Sequence, residues 1–165
     1  MKLNTVYIGV GTNLGDKLSN IRMAYVLIQT SVGEITRKSF IYKTPPWGFK
    51  STAFFYNSVI EVKTFLSSDF LLDALQKIEK KLGKSQELKI GYASRLIDLD
   101  IIDFNNQIID TKRLTVPHSH LSNRNFVLYP LQDVCSNWKH PKSKKKIDEL
   151  IKLLDADNSI TRVIC

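Results

Sequence analysis

Two aspartates separated by one residue, Asp98 and Asp100, have the clearest chemical meaning in the sequence. They alternate with Ile97, Leu99 and Ile101, so on a β-strand the apolar side chains share one face and the carboxylates share the other. Aspartate is a poor strand former, and neighbouring carboxylates repel each other. A divalent cation offsets this repulsion, and hard oxygen ligands favour Mg²⁺. The alternative is a pair of solvent-facing aspartates on an exposed sheet.

Basic residues flank this pair. Arg95 precedes it, and Arg113, His118 and Arg124 follow within a short segment. Acidic metal ligands beside guanidinium groups suit a substrate with several phosphates, because the metal binds some oxygens and arginine binds the others. His118 is a candidate phosphate donor or general acid–base. Its alternative is a loop histidine with a backbone partner.

A glycine-containing segment near the start of the chain fits neither common nucleotide-binding loop. A P-loop needs four residues between its glycines, but three separate Gly11 from Gly15, and Asp16 follows. The dinucleotide fingerprint needs a glycine where this chain has Leu14. We therefore predict a strand-to-helix turn that borders a ligand.

A rigid turn and an aromatic strand are candidates for binding a flat heterocycle. The turn, Thr44–Gly48, contains two consecutive prolines and presents backbone groups with little loss of entropy. The strand carries Phe55 and Asn57, whose ring can stack on a ligand and whose amide can hydrogen-bond to it. The alternative for Phe55 is an ordinary core position.

Hydrophobic periodicity and helix-capping residues predict the order of the elements. The order is β-α-β-β-α-β with extra C-terminal elements. This pattern is typical of a ferredoxin-like α+β fold, an antiparallel sheet with helices packed on one face. Strands are predicted at residues 5–10, 34–43, 53–63 and 96–104, with a return strand at 107–109 through an Asn105–Asn106 turn and an edge strand at 159–164. Helices are predicted at residues 16–31 (capped by Asn13 or Asp16), from Ser67 or Ser68 to Gly83, at 123–134 and at 145–154.

Composition and charge limit the class of protein. The chain has 165 residues, of which 43% are hydrophobic and 24% charged, so we expect a single globular domain over residues 1–165. The net charge is +8, concentrated in residues 77–95 and 136–152, which suits a polyanionic partner; a solvated surface is the alternative. The two cysteines form no metal-binding spacing, and no stretch predicts a membrane helix. A cytoplasmic location is expected.

Taken together, the motifs resemble the 6-hydroxymethyl-7,8-dihydropterin pyrophosphokinases of folate biosynthesis. The resemblance runs from about Val6 to Pro141, and the order and spacing of its motifs are more specific than any one of them. These motifs are Gly11–Gly15, Tyr42–Pro46, Phe55–Asn57, Gln76–Glu79, Arg95–Ile101, Arg113–His118 and Asn123–Phe126.

This resemblance implies transfer of the β,γ-pyrophosphoryl unit of ATP to the pterin hydroxymethyl group, with release of AMP. It implies two Mg²⁺ ions held by Asp98 and Asp100, with ATP as co-substrate and the pterin stacked between Phe55 and Phe126. The partners would be these small molecules, with no nucleic acid and no membrane, and a monomer is expected. The implied catalytic residues are Lys84, Arg95, Asp98 and Asp100; the ATP-binding residues are Gln76, Glu79, Lys84, Arg95, Ile101, Arg113, Thr115, His118 and Arg124; the pterin-binding residues are Thr44, Pro45, Pro46, Phe55, Asn57, Asp98 and Phe126.

Residues 84–95 depart from the family pattern. Better-known members carry an arginine-rich stretch and Trp-Gly-Pro there, whereas this chain has Lys84, Lys89 and Tyr92. Lysine keeps the charge but lacks the bidentate guanidinium. The segment is still expected to act as a mobile lid that excludes water.

Two other functions fit part of the sequence. A ferredoxin-like RNA-binding module would explain the basic charge, but the sequence has no RNA-reading aromatic signature. A Mg²⁺-dependent phosphohydrolase would use the same aspartate pair with an activated water. Product analysis distinguishes hydrolysis from transfer.

Overall fold

The computed structural model describes residues 2–45, 53–83, 96–154 and 160–163. Within these ranges no helix combines the length and apolar character needed to cross a membrane. The helices are α1 (Lys17–Ser31), α2 (Ser68–Lys81), α3 (Asn125–Val134) and α4 (Ile147–Lys152), with a 3₁₀ turn at Leu121–Asn123. The strands are β1 (Asn4–Thr12), β2 (Glu34–Lys38), β3 (Tyr42–Thr44), β4 (Phe55–Thr64), β5 (Asp98–Phe104), β6 (Ile109–Asp110), β7 (Thr115–Val116) and β8 (Thr161–Arg162).

The main sheet is antiparallel and has the order β5-β1-β4-β3-β8, with β2 also paired to β4. The extended segment predicted at residues 34–43 forms two short strands, β2 and β3, which lie on the same edge of β4. With these two counted as one interrupted strand, the order of elements up to β5 is βαββαβ. The predicted ferredoxin-like α+β fold is confirmed.

Helices cover both faces of this sheet. α1 and α2 pack on one face, over a core that includes Ile8 and Ile60. α3 and α4 pack over Val59 and Ile102, which alternation places on the opposite face. The prediction of helices on one face is therefore right for α1 and α2 and incomplete for the chain, because the central strands bury apolar side chains in both directions.

The turn after β5 forms as predicted, but the strand that follows does not lie where we expected. Asn105 and Asn106 both have positive φ (56° and 55°), a conformation that asparagine tolerates. The return strand β6 pairs with β7 in a separate two-stranded sheet instead of with β5. The carbonyl of Ile102 in β5 instead accepts the backbone N–H of His118 at 3.1 Å.

Side-chain caps begin the two helices of the βαββαβ unit. Asp16, not Asn13, is the N-cap of α1, and its carboxylate accepts the Ser19 N–H at 3.1 Å. This bond and one from the Ser19 hydroxyl lower the pKa of Asp16. Ser67, the first of the two predicted alternatives, caps α2. The β8 edge strand also forms, paired with β3.

Candidate active site

The two aspartates lie side by side on one face of β5, as predicted. Ile97, Leu99 and Ile101 are buried in the core beneath α1 and α2. Asp98 and Asp100 are half-buried on the other face. Alternation along the edge strand β5 thus places both carboxylates on the sheet face opposite α1 and α2.

Two glycines of β1 lie directly beside the aspartates. Gly11 pairs with Asp98, and Gly9 pairs with Asp100. Both glycines belong to the same face as the aspartates, since Val10 points into the opposite core. A glycine in a strand often marks close approach of another group. Here the Asn57 amide lies over Gly11, and the Ile102 side chain lies over Gly9. This position of Gly9 and Gly11 beside the aspartates was not predicted, although glycine at every second residue of the strand was the available signal.

Asn57 lies on the other side of Gly11, so one row across three strands contains Asp98, Gly11 and Asn57. A Cβ added at Gly11 would lie 2.9 Å from Asn57 Oδ1, which shows that the amide lies over the glycine. Asn57 Nδ2 donates to Thr44 Oγ1 at 2.9 Å, and both side chains are buried. The structure therefore brings the predicted carboxylates and polar pterin-binding residues onto one surface.

The two phenylalanines of the predicted stack come from different layers. Phe55 is half-buried at the start of β4, opposite Thr44 in the register. Phe126 is half-buried in the first turn of α3, which packs on β4. The buried Arg124 immediately precedes α3, and its guanidinium carbon lies 5.5 Å from the centre of the Phe126 ring. Pro45 is half-buried after β3, and Pro46 lies outside the described residues.

His118 is held in its neutral form. Burial, with smaller effects from the positive charge of Arg124 and from His120, lowers its pKa to about 4, against an opposing effect of Asp98. Its Nδ1 accepts the backbone N–H of His120 at 3.3 Å, so the ring proton is on Nε2. His118 is therefore an uncharged N–H donor close to both Arg124 and Asp98.

Glu79 of α2 contacts the backbone of β5 between the two aspartates. It is 3% exposed in α2, and its Oε1 accepts the backbone N–H of Leu99 at 2.8 Å. That amide lies between the two aspartates in the chain, so Glu79 supports the part of β5 that carries them. The structure places the Ile101 side chain in the same core, which leaves only its backbone for the predicted contact with ATP.

Other predicted ATP-binding residues lie at the periphery. Arg113 forms an ion pair with Asp73 of α2, and its other terminal nitrogen is 3.9 Å from Asp69. Gln76 and Thr115 are exposed on α2 and β7. Their predicted contacts with ATP remain predictions. Lys84, Arg95 and the predicted lid at residues 84–95 lie outside the described residues.

The carboxylate pair fits Mg²⁺ better than a cation that needs a complete protein cage. Among the described residues no cluster of three or more metal-ligating side chains occurs. Mg²⁺ usually takes one or two carboxylates and completes its shell with water and substrate phosphates. Asp98 and Asp100, which pair with Gly11 and Gly9 of β1, are the residues that would hold it.

The fold and the site define a ferredoxin-like α+β domain with an acidic pair on the sheet face opposite α1 and α2. Residues 7–136 match the family described as 7,8-dihydro-6-hydroxymethylpterin-pyrophosphokinase (HPPK), and the chain belongs to this family. It is 37% identical over 147 residues to the 2-amino-4-hydroxy-6-hydroxymethyldihydropteridine pyrophosphokinase of Bacillus subtilis, covering 88% of this chain and 87% of that protein. The enzyme of the same name from Aquifex aeolicus is 38% identical over 145 residues, covering 88% and 89%.

A solved structure supports the fold assignment. The chain aligns with the wild-type Plasmodium falciparum HPPK-DHPS crystallised with pteroate, with a TM-score of 0.78 and 15% identity. The alignment covers 99% of this chain but 48% of the other, so our chain spans about half of that protein.

Proposed function

We propose that the surface around Asp98, Asp100 and Asn57, on the sheet face opposite α1 and α2, is the active site of this enzyme. As a member of its family, the chain is an ATP-dependent diphosphotransferase of folate biosynthesis. It transfers pyrophosphate from ATP to 6-hydroxymethyl-7,8-dihydropterin and yields the pterin diphosphate and AMP. The observation that carries our assignment of the site is the row Asp98, Gly11 and Asn57 across β5, β1 and β4.

The pterin is proposed to lie between Phe55 and Phe126, with its polar edge facing Asn57 and Thr44. The hydrogen bond between these two polar side chains holds the amide with Oδ1 available as an acceptor over Gly11. A fused aromatic ring gains from stacking between two phenylalanines. Fixed donors and acceptors at its edge then set its orientation. Backbone groups at Pro45 and Pro46 are proposed to complete this edge.

On the other side of the row, Asp98 and Asp100 are proposed to hold two Mg²⁺ ions. Residues two apart on a strand are separated by ~6.5–7 Å along the backbone, a spacing at which two carboxylates can serve adjacent ions. Bound Mg²⁺ supplies neutralisation of phosphate charge and polarisation of the phosphorus that is attacked. Dependence on Mg²⁺ and ATP is expected of the family; the number of ions is our proposal.

Cationic and donor groups are proposed to hold the remaining phosphate oxygens. Arg124 supplies a buried guanidinium, and His118 supplies the N–H of Nε2 without adding a charge. Lys84 and Arg95 are proposed to bind phosphates as well. The remaining nucleotide contacts are assigned to Gln76, Glu79, Ile101, Arg113 and Thr115.

In the reaction, the pterin hydroxymethyl oxygen forms a bond to the β-phosphorus of ATP. The bond from this phosphorus to the oxygen that bridges the α and β phosphates breaks, and AMP leaves with the electron pair while the hydroxyl proton is released. Positioning and charge neutralisation supply most of the catalysis of such transfers. Asn57 and the two phenylalanines orient the acceptor, while Arg124 and His118 hold the donor.

Product analysis tests this function. The protein is incubated with ATP, Mg²⁺ and 6-hydroxymethyl-7,8-dihydropterin, and the nucleotides and pterins are separated by chromatography. We expect equal amounts of AMP and pterin diphosphate, formed only when both substrates are present. ADP would indicate transfer of one phosphate, and phosphate release without pterin would indicate a hydrolase; either result contradicts the proposal. EDTA should abolish turnover, and added Mg²⁺ should restore it.

We further propose that residues 1–165 form one domain, which acts as a monomer in the cytoplasm. The shared sheet, with helices packed on both faces, supports a single folding unit. The ATP that the reaction consumes supports the location. Sedimentation analysis of the purified protein tests the monomeric state.

A further inference from the structure

The C-terminal strand lies next to the strand that carries Thr44. β8 pairs antiparallel with β3, with Arg162 opposite Tyr42, and the Val163 N–H donates to the Ile41 carbonyl at 2.7 Å. β3 has three residues, and its other edge pairs with β4. So short a strand forms few hydrogen bonds on either edge. Its position therefore depends on both neighbours.

Arg162 adds side-chain contacts to this pairing. Its Nε donates to Tyr42 Oη at 3.2 Å, and its Nη2 is 3.5 Å from Asp133 Oδ1. The guanidinium carbon lies 4.2 Å from the centre of the Phe40 ring. The Asp133 side chain is 14% exposed and that of Arg162 is 56% exposed, so solvent still screens this ion pair, and the hydrogen bond to the buried Tyr42 is the better shielded contact.

Asp133, near the C-terminal end of α3, interacts with three polar groups through its carboxylate. Besides Arg162, its carboxylate accepts the Tyr42 hydroxyl at 2.9 Å and the Phe40 N–H at 3.2 Å. Tyr42 is 5% exposed, and burial raises its pKa, so the hydroxyl remains protonated and donates to Asp133. The cluster therefore connects β8 and β3 to the helix whose first turn carries Phe126.

We propose that Arg162 is a positioning residue for the pterin site and acts through Tyr42 and Asp133. The inference rests on the proposed function, since it assumes that pterin binds between Thr44, Asn57 and Phe126. Tyr42 pairs directly with Asn57 and lies two residues before Thr44 on the same short strand. A displacement of β3 therefore moves the Thr44 hydroxyl that fixes the Asn57 amide. None of the residues proposed to bind ATP is on β3.

Steady-state kinetics of two variants of β8 tests this inference. Arg162→Ala removes the bonds to Tyr42 and Asp133, whereas Thr161→Ala changes an exposed neighbour on the same strand. We expect Arg162→Ala to raise the KM for pterin about fivefold, the effect of losing one or two modest hydrogen bonds. The KM for ATP should change less than twofold, and Thr161→Ala should match the wild type. Arg162→Lys should be intermediate, because an ammonium group pairs with Asp133 but lacks the guanidinium fork.

Backbone amide hydrogen exchange of residues 42–44 gives a readout that does not depend on activity. Faster exchange in Arg162→Ala than in Thr161→Ala is expected if Arg162 holds β3 in place. An unchanged KM for pterin, or an equal rise of both KM values, would overturn the inference. If Arg162→Ala does not fold, Arg162→Lys carries the same test. If the wild type forms no AMP from pterin and ATP, the proposed function fails, and unchanged exchange would separately show that Arg162 does not position β3.

Discussion

Asp98 and Asp100 lie on the same face of β5 because Leu99 between them is buried in the opposite core. Asp98→Asn keeps the shape of the side chain and removes one negative charge from the proposed metal site. We expect kcat to fall at least about 100-fold, since metal stabilisation of the transition state is worth several kcal/mol. Asp148→Asn, at an exposed position of α4, serves as the matched control. Near-normal turnover of Asp98→Asn in Mg²⁺ would refute the metal assignment.

The absence of a side chain at Gly11 is needed for the position of Asn57, because only a residue without a Cβ leaves room for the amide above it. A Cβ 2.9 Å from Asn57 Oδ1 must displace that oxygen. We predict that Gly11→Ala raises the KM for pterin about tenfold, in line with the cost of overpacking a tight site. The KM for ATP should rise less.

A double-mutant cycle identifies the cause of that effect. If Gly11→Ala acts by displacing Asn57, the combination with Asn57→Ala should be no worse than Asn57→Ala alone. Additive losses would show that the methyl group disturbs another part of the site.

His118 should make the stability of the fold depend on pH. Its pKa is about 4 in the folded chain against 6.5 for a free histidine, so the unfolded chain binds the proton more strongly. Between these values the unfolded state gains protons as the pH falls, and the folded state loses stability. We expect the free energy of unfolding to rise by up to about 3 kcal/mol from pH 4 to pH 6.5 because of this group.

Urea unfolding at a series of pH values measures that slope in the wild type and in His118→Gln. Subtracting the two curves removes the contribution of His140, whose pKa is also lowered by burial. Identical slopes would show that His118 titrates normally in the folded chain.

Pairing and helix packing together hold β5. It pairs with β1, and the Glu79 carboxylate of α2 accepts the Leu99 N–H. We predict that Glu79→Ala lowers the free energy of unfolding by about 1–3 kcal/mol, the cost of removing a buried acceptor. Lys77→Ala, an exposed change on the same helix, should have little effect. A normal stability combined with a raised KM for ATP would instead indicate that Glu79 contacts the nucleotide directly.

The two helical layers share one sheet, so we expect them to unfold together. Leu128 is fully buried in the layer formed by α3 and α4, and Leu128→Ala should cost about 2–5 kcal/mol. Tryptophan fluorescence is measured in a Trp47→Phe variant, so that it reports only on the buried Trp138 of this layer. Far-UV circular dichroism and this fluorescence should give the same transition. Fluorescence that changes before the helical signal would show that the C-terminal layer is a separate unit, contrary to a single domain.

Local features of this fold could be predicted from the sequence because neighbouring residues encode them. Alternation predicted that Asp98 and Asp100 share one face, and the capping residue types narrowed each helix start to two candidates, from which the structure selects Asp16 and Ser67. The family motifs identified the chemistry for the same reason, since each is a short run of residues with a fixed spacing. These conclusions need no knowledge of how distant elements pack.

Contacts between elements were decided only by the tertiary structure. The bond from the Leu99 N–H to Glu79, the amide of Asn57 over Gly11 and the cluster around Asp133 join residues far apart in the chain. The second helical layer and the pairing of β6 with β7 depend likewise on which edges and faces remain available after the main sheet has formed. Periodicity shows which face of an element is apolar, but not which partner covers it, because packing depends on the shapes of both surfaces.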